Sequence, residues 1–167
     1  MSSSKRYALL LAASLGTFLA SLDSSIVNVA LPSIQQALGT DMAGLQWVVS
    51  AYTVAFGGFL LLGGRATDLL GKRRLYRVGQ SLYALSSLAA VLGGSALLLV
   101  LARAVQGVGG ALLFPATLAL INTHYAEGPQ RNRAFAVWSA ACAAGLALGA
   151  LLGGVLTQWW GWEAVFL

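Results

Sequence analysis

Five apolar stretches, each near the roughly 20 residues a helix needs to cross the hydrocarbon of a bilayer, leave this chain very few folds. They run over about 7–33, 44–66, 75–93, 95–122 and 133–158, and a sixth begins near Trp162. Only 9% of the residues are charged and 58% are hydrophobic, whereas soluble domains carry about 25% charge. Because the stretches are continuously apolar, the alternation of a membrane barrel strand is missing. The expectation is an all-α polytopic membrane protein: one incomplete amino-terminal bundle of five complete transmembrane helices and the start of another. The first stretch is too long for a signal core and shows no clear small-residue cleavage site, so it reads as a retained span.

Most of the cations fall between the stretches or close to their ends. Lys5 and Arg6 precede the first; Lys72, Arg73, Arg74 and Arg77 follow the second; Arg131 and Arg133 follow the fourth. Loops rich in Lys and Arg face the cytoplasm, which puts the amino terminus there and the protein in the inner (plasma) membrane. A net charge of +5 distributed by loop in this way marks topology and not a nucleic-acid partner. Cys142 is a lone thiol within an apolar run, so no disulfide framework or metal cluster is expected. His124 has no nucleophile arrangement around it and no phosphate-cradling loop is present. The chain reads as neither an enzyme nor an ATP-driven pump, with no cofactor and an ion gradient as its energy source.

Three ionisable residues stand where lipid makes them expensive. Asp23 lies well inside the first stretch, Arg103 inside the fourth, and Asp68 at the end of the second. A central Asp or Arg costs roughly 2.5–3.5 kcal/mol on insertion, so such groups face a bundle interior or a wet cavity and mark function by default. For Asp23 the functional reading is a proton-titrating carboxyl, and the structural reading is an ion pair. Arg103 stays charged and can bias a nearby carboxylate, or bond to backbone carbonyls of a partner helix. Gly16, Ala20, Val27 and Ala30 share a face with Asp23, while Ser21, Ser24, Ser25 and Asn28 form a second, polar arc. Gln106, Gly107 and Gly110 continue a polar, small-residue stripe from Arg103.

Small residues spaced by four let helices approach closely, so Gly145, Gly149 and Gly153, with Gly154 beside them, read as a packing seam. In GGRATDLLGKRR, Gly64 and Gly71 suit close approach and a tight turn. Trp159, Trp160 and Trp162 suit an interfacial belt. Trp47, Tyr52, Phe56 and Phe59 mark the second stretch, where aromatic faces can pack or meet a cation. Asn28, Trp47, Tyr52 and Gln106 are the candidates for a substrate cavity.

In this order the segments resemble the major facilitator superfamily, and most of all its drug:proton antiporter branch with fourteen helices. LDSSIVNVALP from Leu22 is similar to that branch's first-helix motif, GGRATDLLGKRR to the second-to-third loop signature, and RAVQGVGGA from Arg103 to the fourth-helix motif. GLALGALLGG from Gly145 resembles the antiporter motif, with Ala150 where the family carries Pro. The resemblance implies proton-coupled efflux of small lipophilic or cationic compounds by alternating access. It assigns Asp23 and Arg103 to proton coupling, and Gly64, Asp68, Gly71, Lys72, Arg73 and Arg74 to a gating element. Gly107 joins the packing glycines. The implied partners are the bilayer, protons, a small-molecule substrate and the missing carboxy-terminal half of the same transporter. The rival readings are a superfamily uniporter or symporter for a metabolite, and a small non-transporting membrane protein.

Overall fold

The computed structural model describes residues 3–166, and these form five long helices and no strand. They are α1 (Ser3–Leu38), α2 (Met42–Leu70), α3 (Lys72–Leu92), α4 (Ala96–His124) and α5 (Pro129–Trp160). The helices overrun most of the apolar stretches at both ends, because local chemistry and not hydropathy stops them. Asp41 caps α2 by accepting from Gly44 N–H at 2.8 Å, and Ser95 caps α4 by accepting from Leu98 N–H at 3.3 Å. Gly71, at φ 93°, makes the single-residue break between α2 and α3 that a residue with Cβ would resist. Pro129 opens α5, where its missing N–H is no loss. The helix α5 continues through Ala150 without interruption.

By length and hydropathy alone, α1, α2, α4 and α5 are able to cross a membrane. Helix α3 is shorter and carries Lys72, Arg73, Arg74 and Arg77 in its first two turns. Its rise is still about 31 Å at 1.5 Å per residue, which matches the hydrocarbon thickness. Where the start of a sixth helix is expected, the described chain forms a 3₁₀ turn, Trp162–Phe166. With three residues per turn, Trp162 and Val165 fall on one side and bury there together with Phe166 against α1, α3 and α5.

Helix α4 is the centre of the bundle. Helices α2 and α3 lie along it, whereas α1 lies along α5 and meets α4 over a shorter line. The bundle therefore consists of an α1–α5 pair and an α2–α3–α4 group. Glycines set the close contacts within each. A methyl at Gly149 would stand 2.5 Å from the Leu22 carbonyl oxygen, and one at Gly145 would collide with that of Phe18. Gly107 lies equally close to the Tyr52 carbonyl, joining α4 to α2. Gly154, grouped with this seam in the sequence, has nothing within 4 Å, because one residue of helix turns it about 100° away from α1.

Close approach between α2 and α4 also falls on Gly63 and not Gly64: Gly63 abuts the Ala111 carbonyl, while Gly64 faces open space. The carbonyl that Gly63 abuts lies four residues before Pro115, whose missing N–H leaves it without its usual donor in α4.

Two apolar clusters hold the bundle at different depths. Ile26, Val27, Ala30 and Ile34 of α1 meet Val48, Leu99 and the 3₁₀ turn, while Leu10 meets Ile121, Ala134 and Trp138. Between these clusters α1 carries buried polar groups, among them Thr17 and Asp23.

Candidate functional site

Asp23 and Arg103 meet at that middle depth. Their elements belong to the two different parts of the bundle, and the Arg103 Nη1 to Asp23 Oδ2 distance is 2.6 Å. Arg103 is 2% exposed and Asp23 7%. A buried carboxylate must have its lone pairs satisfied, and here side chains of two helices, α3 and α4, do so. Tyr83 of α3 donates its hydroxyl to Oδ2 at 2.8 Å, and Gln106 Nε2 approaches Oδ1 at 3.4 Å.

Arg103 has further acceptors that do not depend on Asp23. Its Nη1 donates to Gln106 Oε1 at 2.7 Å and its Nε to the Val48 carbonyl at 3.3 Å. Its guanidinium also lies over the Tyr52 ring, 4.5 Å from the centroid. Gln106, fully buried, is itself fixed by donating to Ser87 Oγ at 2.7 Å. Both structural alternatives raised by the sequence, the ion pair and the backbone bond, are thus present in one network.

A cavity of about 190 Å³ adjoins this network, bounded by α1, α2, α4 and α5. Thr17, Ser21 and Ser24 give it a polar edge, and Phe56, Phe114 and Leu146 an apolar wall. Tyr52 stacks on Phe56 at 6.0 Å, and Phe56 meets Phe114 edge on at 6.1 Å. The Tyr52 ring belongs to both places: it lines the cavity and covers Arg103. Cys142 reaches the same cavity, with its Sγ 3.1 Å from Ser21 Oγ.

Of the four cavity candidates, only Tyr52 lines it. Gln106 is committed to Arg103, Asp23 and Ser87. Asn28 turns back to donate to the Ser24 carbonyl at 2.7 Å, and Trp47 is 57% exposed on the outside of α2. Tyr83 and Ser87 are uncharged and carry no penalty in lipid that marks them in the sequence. They stand four residues apart on the face of α3 that begins with Gly79, which packs against Gly109 of α4.

The residues of the α2–α3 connection sit apart from this network. Asp68 is exposed near the end of α2 and makes no ion pair among the described residues. The buried side of α2 there carries Gly63 and Thr67 instead. Lys72 Nζ donates to Thr123 Oγ1 of α4, while Arg73 and Arg74 extend outward.

The sequence profile described as Major Facilitator Superfamily matches residues 13–167. The puromycin resistance protein pur8 of Streptomyces alboniger is 50% identical over 145 residues, covering 85% of this chain and 28% of that protein. The cephamycin export protein CmcT of Amycolatopsis lactamdurans is 45% identical over 150 residues, 90% of this chain and 31% of its own length. The multidrug resistance protein Stp of Mycobacterium tuberculosis is 40% identical over 157 residues, 94% and 29% respectively. The chain therefore spans less than a third of the length of these curated relatives.

Proposed function

The chain belongs to the Major Facilitator Superfamily, and on that premise we propose that the protein exports small lipophilic compounds in exchange for protons. The observation that carries this reading is the Asp23–Arg103 pair at 2.6 Å, buried where the α1–α5 pair meets the other three helices. Relatives whose names record resistance to, or export of, antibiotics support the direction and the substrate class. The basic residues flanking the spans support a cytoplasmic amino terminus in the plasma membrane.

In this mechanism a proton arriving at Asp23 neutralises the carboxylate and removes its attraction for Arg103. Arg103 keeps its charge, and Gln106 Oε1, the Val48 carbonyl and the Tyr52 face retain it on the α2–α4 side. The polar tie to α1 weakens, and α1 with α5 is released to shift against α4. The cavity has walls from both parts, so that shift changes its shape. Substrate and proton are coupled because each prefers a different arrangement of the same seam. The proton gradient is the energy source.

The experiment uses the complete protein in proteoliposomes with an imposed pH gradient and ethidium or puromycin as the transported compound. Gradient-driven accumulation is expected with the natural protein and is abolished by Asp23→Asn, which keeps an acceptor for Arg103 but cannot exchange a proton. Accumulation of neither compound, or equal accumulation by Asp23→Asn, overturns the proposal.

A further inference from the structure

Asp23 takes its two strongest donors on one oxygen. Tyr83 Oη and Arg103 Nη1 both donate to Oδ2, at 2.8 and 2.6 Å, whereas Oδ1 has only the Gln106 Nε2 contact at 3.4 Å. Tyr83, Arg103 and Gln106 are each less than a tenth exposed, buried among the described helices themselves.

The place of Tyr83 follows from the packing of α3 on α4. A Cβ at Gly109 would stand 3.1 Å from the backbone nitrogen of Tyr83, and one at Gly79 would stand 2.8 Å from the Gly109 carbonyl oxygen, so the two glycines let the helices meet closely. That contact fixes the Tyr83 backbone at the depth of Asp23, and the side chain bridges the gap to α1. Its hydroxyl has one hydrogen to give, and the other acceptor, the Ala20 carbonyl, is farther away at 3.4 Å. The titratable and charged groups facing Asp23 are Tyr83 from α3 and Arg103 from α4, with Tyr52 of α2 beyond the guanidinium. Among the described residues, α5 past Arg133 has only the Cys142 thiol, which meets Ser21, and the 3₁₀ turn has only the exposed Glu163.

The orientation of the Gln106 amide is equally fixed. Arg103 can only donate, so the amide atom 2.7 Å from its Nη1 is the oxygen. One Nε2 hydrogen goes to Ser87 Oγ at 2.7 Å, which leaves the other for Oδ1. An amide turned over would set its N–H groups against the guanidinium, which has no acceptor. Gln106 therefore offers Oδ1 a donor whatever the charge of Asp23.

On the reading that Asp23 is the exchanging carboxyl, we infer that Tyr83 is a positioning residue for that exchange: by sharing Oδ2 with Arg103 it directs the incoming proton to Oδ1, against the Gln106 donor. A carboxylic acid donates from the oxygen that carries its proton and accepts at the other. With the proton on Oδ1, the neutral Oδ2 still accepts from Tyr83, so α3 keeps its tie to α1. Both contacts with α4 worsen together. The Arg103 bond loses its charge assistance, and the new O–H on Oδ1 meets an Nε2 hydrogen, donor against donor. A single proton thus loosens α1 from α4 while Tyr83 holds the carboxyl in register.

Difference infrared spectra of the complete protein in detergent, taken between alkaline and acidic buffer, test the assignment. The C=O stretch of the protonated carboxyl is identified as the band that Asp23→Asn deletes, and a C=O that accepts hydrogen bonds absorbs at lower wavenumber than a free one. With Oδ2 as the C=O oxygen, Tyr83→Phe, which keeps the ring and removes the donor, is expected to shift that band to higher wavenumber, and Gln106→Met to shift it less. A band that Tyr83→Phe leaves in place, or that Gln106→Met raises at least as far, overturns the inference and leaves proton exchange at Asp23 standing. Acidification that produces no Asp23 band overturns the exchange reading and the inference with it.

Discussion

Replacing Arg103 by Met in the complete protein is expected to lower its stability by about 3–5 kcal/mol, and adding Asp23→Asn is expected to recover most of that loss. The single change leaves a carboxylate buried with only the Tyr83 hydroxyl and a long contact to Gln106. An unpaired buried charge is far more costly than the pair is favourable, so the two losses are not additive. The double variant holds neutral groups in the same space, with Tyr83 and Gln106 still able to bond to the Asn amide. Thermal unfolding in detergent reads the stabilities. Transport is expected to stay absent in both variants, which separates the part the pair plays in the fold from the part it plays in exchange.

Gly149→Val is expected to remove transport and to cost about 3 kcal/mol, the upper end for overpacking a tight contact. The obstacle to its Cβ is the Leu22 carbonyl at 2.5 Å, a backbone atom that yields only if α1 moves away from α5. Leu22 adjoins Asp23, so the same displacement draws the carboxylate away from Arg103. The matching change Gly154→Val, five residues further along α5 and facing open space, is expected to fall within about 0.5 kcal/mol of the natural protein. Unfolding and transport measured on both variants check the contrast.

These two sites also show what a sequence of this kind makes legible. Apolar length fixed the number of long helices, because bilayer thickness and helical rise leave little freedom. Spacing by four placed Gly145, Gly149 and Gly153 on one face whatever their partner. A single step along a helix is a different matter: the contrasts between Gly63 and Gly64, and between Gly153 and Gly154, depend on where the neighbouring helix lies. Asp23 and Arg103 stood out because lipid penalises their charge. Tyr83 and Ser87 carried no such penalty, and their register against Asp23 comes from the packing of α3 on α4. Gln106 resembled a cavity residue because it is polar at membrane depth, yet its hydrogen bonds are spent on the network itself. Trp47 shows the converse, an aromatic residue on the outer surface of α2.

In the proposed exchange the carboxyl of Asp23 changes its proton occupancy as the cavity fills. Adding ethidium to the complete protein in weakly buffered detergent, with a pH indicator present, reads that change directly. Binding is expected to release up to one proton per protein, and Asp23→Asn to bind ethidium with no release. Undiminished proton release from Asp23→Asn would contradict it.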